Sequence, residues 1–229
     1  MASTTEAASS RRDWLIPTGL LLLSAVPIAA GTYRLMQLSG GAVITPDNAR
    51  FFAAPVPVVI HIVSVSLFSV LGAFQFVDGI RRRWPSWHRG AGKLLVLAGL
   101  LAAMTGLWMT QFYPSPTGDG MALYFIRLLV GGAMALSMVM GVAAIRRRDV
   151  PNHSAWMIRA YALGMGAGTQ VLTHLPWFLI VGSKPGEVPR ALLMGAGWAI
   201  NLIVAEWVIH QRRKLGIAAW KVPKPSRIK

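Results

Sequence analysis

The chain has 229 residues, of which 54% are hydrophobic and only 14% charged, about half the charged share of a soluble globular domain. This excludes an ordinary soluble domain and points to a polytopic membrane protein, so the net charge of +15 reads as membrane topology and not as nucleic-acid binding. The sequence contains no cysteine, which excludes disulfides, thiol catalysis, cysteine-ligated iron–sulfur clusters and CxxCH-attached haem.

A transmembrane helix needs roughly 20 predominantly apolar residues. Six stretches qualify, at 14–38, 55–77, 92–113, 121–145, 154–181 and 189–209. The connections at 39–54, 78–91, 114–120, 146–153 and 182–188 are short and rich in glycine, proline and charge. The expectation is an all-α membrane bundle of six helices over 14–210, flanked by a short tail at 1–13 and a basic tail at 211–229. No internal repeat is visible. Residues 10–15, Ser10-Arg11-Arg12-Asp13-Trp14-Leu15, loosely match a twin-arginine export signal, with Ala29-Ala30 near a cleavage position. The apolar run is nonetheless long enough to span, and its positive flank suits an uncleaved anchor.

Orientation follows from the cations. Seventeen of the 23 Lys and Arg flank one side, in the groups Arg11–Arg12, Arg81–Lys93, Arg146–Arg148 and Arg212–Lys229. Four (Arg34, Arg50, Lys184 and Arg190) flank the other, and Arg127 and Arg159 lie inside spans. Lys and Arg accumulate in cytoplasmic loops, which puts both termini in the cytoplasm of a bacterial inner membrane. Trp84, Trp87, Trp156 and Trp207 then stand near the inner boundary, with Trp108, Tyr113 and Trp177 near the outer one, as aromatic belts.

The second to fifth spans carry a pattern beyond hydropathy. His61 is followed by Gly72-Ala73-Phe74-Gln75-Phe76, then by Arg81-Arg82-Arg83-Trp84-Pro85-Ser86-Trp87-His88-Arg89-Gly90. Later comes Asp149-Val150-Pro151-Asn152-His153-Ser154-Ala155-Trp156-Met157-Ile158-Arg159-Ala160-Tyr161. This resembles a widespread bacterial family of predicted multi-span membrane proteins that stands as a domain of unknown function, over about residues 55–180. The resemblance implies a multi-span fold and marks His61, His88, His153 and Arg159 as pattern positions. It does not extend to His174 and implies no established activity.

Four histidines form two pairs by depth: His61 and His174 toward the outer face, His88 and His153 toward the inner one. On one straight helix, His153 and His174 would be roughly 31 Å apart and within about 60° of the same face. Two stacked b-type haems need such pairs, because each iron takes two axial imidazoles from facing helices. The arrangement is similar in architecture to transmembrane two-haem cytochrome b proteins of the ascorbate-dependent ferrireductase type. It predicts a transmembrane oxidoreductase or electron carrier binding haem b through His61, His88, His153 and His174. Arg127 and Arg159, costly inside a membrane, would meet the propionates, and Gly72, Gly131, Gly132, Gly164, Gly166 and Gly168 would let the macrocycle approach the backbone.

Each feature has a plainer reading. His61 is also a hydrogen-bonded interior residue, and His88 and His153 also suit headgroup contact or capping. Pro176 spoils the straight-helix geometry around His174. Asn152 or Ser154 would cap the fifth helix, and Glu206 with His210 at i,i+4 reads as an interfacial ion pair before a metal site. Gln75 either bonds a cofactor or ties two helices, and the methionines pack or face lipid. No HExxH, GxSxG or P-loop pattern is present, and no carboxylate stands at mid-membrane as a proton-coupled transporter requires. The alternatives are a cofactor-free membrane protein that binds a lipid, a quinone, a partner subunit or a second copy of itself, and a small-solute permease.

Overall fold

The computed structural model describes residues 2–214 and 216, and every regular element among them is a helix. In chain order these are α1 (Ala2–Ser39), α2 (Ala49–Ala53), α3 (Pro55–Phe74), α4 (Asp78–Arg83), α5 (Pro85–Phe112), α6 (Met121–Arg146), α7 (Val150–Gly164), α8 (Gly166–Val181) and α9 (Glu187–Lys214). Five contain a stretch long and apolar enough to cross a membrane: Trp14–Ser39, Pro55–Phe74, Pro85–Phe112, Met121–Arg146 and Glu187–Lys214. The basic-tail cations Lys221, Lys224, Arg227 and Lys229, and the side chains of Arg11 and Arg12, lie outside the described residues.

The predicted span at 154–181 is the exception. It is two helices, α7 and α8, of 15 and 16 residues, broken at Met165. The break is held from α9: a Cβ at Gly166 would fall 2.0 Å from Trp198 Nε1, so the backbone passes directly under the indole. Asn201 ties the two halves, its Nδ2 donating to the Ala162 carbonyl and its Oδ1 accepting from Thr169 Oγ1.

Helix also extends into four of the five predicted connections. The segment 39–54 includes α2, and α5 starts at Pro85, seven residues ahead of the predicted 92, so His88 stands on a helix and not in a loop. Proline at the first helical turn has its φ preset and needs no N–H partner, and it opens α3, α5 and α7 alike. Hydropathy finds the membrane-embedded part of a helix and is blind to its polar overhang. Between α6 and α7 the chain reverses in three residues. Arg148 takes a left-handed φ of 61°, its N–H meets the Ile145 carbonyl, and the Asp149 N–H reaches back to Ala144, the six-to-one bond of a Schellman ending. Asp149, and neither Asn152 nor Ser154, caps α7, its carboxylate accepting from the Asn152 N–H at 3.1 Å.

The core gathers Phe68 of α3, Ala98 and Ala102 of α5, Met134 and Met138 of α6, and Ala160, Tyr161 and Leu163 of α7. Small residues let the backbones close up, as in membrane bundles generally: a Cβ at Gly72 would lie 2.3 Å from Tyr161 Cε2, and Tyr161 Oη donates to the Ser69 carbonyl. α7 is the central helix of one half of the bundle, touching α3, α5, α6 and α9, whereas α8 lies outward against α9 and α1. α1 is the least buried of the five long apolar helices.

Candidate functional site

Three of the four candidate histidines share one local device. His61 Nδ1 lies 2.9 Å from the Ala102 carbonyl and 3.1 Å from Thr105 Oγ1. His153 Nδ1 lies 2.9 Å from the Gly141 carbonyl, and His174 Nδ1 lies 2.8 Å from the Gln170 carbonyl one turn back. A carbonyl can only accept, so Nδ1 carries the proton in each, and the neutral ring keeps its lone pair on Nε2. That tautomer, fixed through a backbone carbonyl, is the one in which a histidine ligates a metal. His88 differs, because its Nδ1 is buried without a hydrogen-bond partner among the described residues.

The inner pair stands at one end of the bundle. His88, near the start of α5, lies within Coulombic reach of His153, near the start of α7, and of Arg81 and Arg89. Gln75 stands just beyond the end of α3, at the same Arg-rich end of the bundle, and its Nε2 is the other buried side-chain nitrogen without a partner among the described residues. Buried polar groups are almost always satisfied, so two orphans at one end mark a place where something else bonds. No cluster of three or more His, Asp or Glu suited to a bare metal ion occurs among the described residues.

The outer pair has no such common ground. His61 lines a cavity of about 190 Å³ bounded by α1, α3 and the α7–α8 break, with Ser24, Ser66 and Ser69 as its hydroxyls. His174 is not among its lining residues and instead stacks on Phe178, ring centroids 6.3 Å apart. The proposed macrocycle cradle is also largely taken up by protein. A Cβ at Gly131, Gly164, Gly166 or Gly168 would meet Leu107, Phe68, Trp198 or Leu23 within 2.8 Å, and Gly72 faces Tyr161; only Gly132 faces open space.

The two intramembrane arginines have carboxylate partners that sequence reasoning missed. Arg127 Nη1 binds Asp119 Oδ2 at 2.5 Å, and Arg190 Nε binds the other oxygen, Oδ1, at 2.5 Å. Asp119 is only 4% exposed. The turn before it needs Gly118, whose φ of +86° is accessible mainly to glycine. Arg159 makes a two-point bond to Glu206, at 2.5 and 2.9 Å, while its guanidinium lies over Trp156. Glu206 therefore pairs across helices with Arg159, and its i,i+4 pairing with His210 does not form.

Long apolar helices around a core of small residues, with cations concentrated at one end, define an integral membrane protein of the helical-bundle class. The chain belongs to the DUF2306 family of predicted membrane proteins, whose pattern matches residues 58–209. The match runs beyond the expected 55–180 to take in α9 and Glu206, and it leaves α1 outside. No curated protein and no solved structure matched the chain.

Proposed function

We propose that the protein is a membrane electron carrier of b-type cytochrome character that holds haem b between His88 and His153. In this reading it crosses the bacterial inner membrane six times, with α7 and α8 together forming the fifth crossing and both termini in the cytoplasm. The observation that carries the proposal is the pair of buried nitrogens without partners among the described residues, His88 Nδ1 and Gln75 Nε2, at the end where the His153 charge acts on His88.

The donor set suits the group. His153, its ring held by the Gly141 carbonyl, offers Nε2 as a neutral imidazole donor, and His88 offers the second imidazole. Both residues are half-buried at the rim of the bundle, so binding there does not depend on a closed cavity. Gln75 can donate its amide N–H to a bound group. Arg89, which meets no carboxylate among the described residues, can offset acidic substituents now that Arg127 and Arg159 are engaged elsewhere. Haem iron bound by two imidazoles supplies a one-electron couple. A second haem at His61 and His174 is not part of the proposal, because His61 lines a cavity that His174 does not reach.

The test is the reduced-minus-oxidised absorption spectrum of the purified protein and its variants. His153→Ala and His88→Ala should each remove the α-band, while His174→Ala should leave it in place. A band that survives both inner substitutions overturns the assignment. A second reading, a cofactor-free protein that binds a quinone or lipid or passes a small solute, is favoured by one observation: the His61 cavity lies at a broken helix, where membrane transporters build their binding sites. Uptake into sealed vesicles without a redox donor, abolished by His61→Ala, would support it.

A further inference from the structure

We propose that the end of the bundle opposite the Arg-rich one binds an anionic phospholipid, its phosphate on Arg34 and Arg50 and an acyl chain in the groove between α1 and α3. At this end the cations outnumber the carboxylates. Asp119 has both oxygens occupied by Arg127 and Arg190, and Asp47 pairs with Lys184 at 3.7 Å. Arg34 and Arg50 have no carboxylate partner among the described residues. Arg34 Nη1 donates to Gln37 Oε1, and Arg50 Nη1 makes a long 3.3 Å bond to the Pro114 carbonyl.

The two guanidiniums are held together on one aromatic ring. Arg34 Cζ lies 4.5 Å and Arg50 Cζ 4.7 Å from the Phe51 centroid, and the ring is fixed edge-on by Tyr113 at 5.5 Å. Burial pushes the Arg50 guanidinium below its ordinary pKa, and Arg127 and Arg34 push the same way, against the pull of Asp119 and Asp47. Two cations gathered around one ring with no directly paired carboxylate form a preorganised anion site, and the guanidinium fork matches phosphate.

The second observation is the groove. It has a volume of about 500 Å³ and is lined mainly by Leu35, Met36 and Leu38 of α1 and by Pro55 and Val59 of α3, with the hydroxyls of Thr32 and Ser39 on the α1 side. Its α1 wall includes the residue after Arg34, and its α3 wall starts four residues after Phe51. A phosphate site close along the chain to a mainly apolar open groove on a membrane protein fits a lipid, with headgroup on the cations and chain in the groove. A free phosphate would use only the first half. The site is independent of any haem.

The protein is reconstituted in phosphatidylcholine nanodiscs carrying increasing phosphatidylglycerol, and its melting temperature is recorded; in detergent it is titrated with inorganic phosphate. Phosphatidylglycerol should raise the melting temperature saturably, and inorganic phosphate should not. The double variant Arg34→Gln/Arg50→Gln should need about tenfold more phosphatidylglycerol for the same rise, as loss of charged hydrogen bonds implies. Lys184→Gln, which removes an exposed charge from the same end, should respond as the parent does. An unchanged double variant, an equal loss in Lys184→Gln or a full response to inorganic phosphate each overturns the proposal. If the double variant does not fold, Arg50→Lys carries the test: a weaker response supports the site, and an unchanged one overturns it.

Discussion

Two arginines stand within apolar helices at opposite ends of this bundle, and their settings differ. Arg127 shares Asp119, a carboxylate 4% exposed, with Arg190, so one acid answers two cations and that end keeps a surplus of positive charge. Arg159 has Glu206 to itself, and that carboxylate is 52% exposed. The first is a buried junction that holds the 114–120 connection against α6 and α9. The second is an interfacial clasp between α7 and α9. A positive charge inside a membrane protein can thus tie a loop into the bundle or bridge two helices at the water boundary, and burial of the acid decides how much depends on it.

That contrast can be broken directly. Asp119→Asn leaves two partly buried guanidiniums facing each other, and removing one member of a buried ion set costs about 3 kcal/mol or more, visible as a clear loss of unfolding free energy in a reversible membrane-protein assay. Glu206→Gln should cost about 1 kcal/mol or less, as an exposed pair does. If the two losses were equal, the distinction between junction and clasp would fail. The α6–α7 reversal sharpens it from the other side, because it depends on backbone conformation with no ion pair. Arg148→Gly should stabilise by up to about 1 kcal/mol, since the left-handed conformation there strains a side chain.

The smallest effect concerns pH. Bonds from the Asn152 side chain and backbone N–H hold the Asp149 carboxyl below its ordinary 3.8. A depressed folded-state pKa means that its stabilising contribution is present above the ordinary value and lost as pH falls through the folded one. A melting curve should therefore show a small decline on going below about pH 4. Asp149→Asn, which still caps a helix, should lack that part of the decline.

Most of the fold was legible in the sequence because bilayer thickness translates into residue count, and all five long apolar stretches fall where hydropathy puts them. The break at Met165 was not legible: it depends on Trp198 lying over Gly166, a contact between residues 32 positions apart that no local period records. The sequence placed His88 and His153 at one end of the bundle, and the structure has them there, at the starts of α5 and α7. The partners of Arg127 and Arg159 were hidden for the same physical reason as the break. Asp119 read as part of a connecting loop, and Glu206 read as a neighbour of His210, because i,i+4 is the only pairing visible along a single helix. A residue count of cations separates the two ends of the molecule, but it cannot tell which of those cations meet a carboxylate.

The central claim is that the Arg-rich end binds haem. The most direct measurement is the molar ratio of b-type haem to chain in protein purified from haem-replete cells, read from the Soret band and the reduced α-band. The account predicts one haem per chain. A colourless preparation with neither band would contradict it.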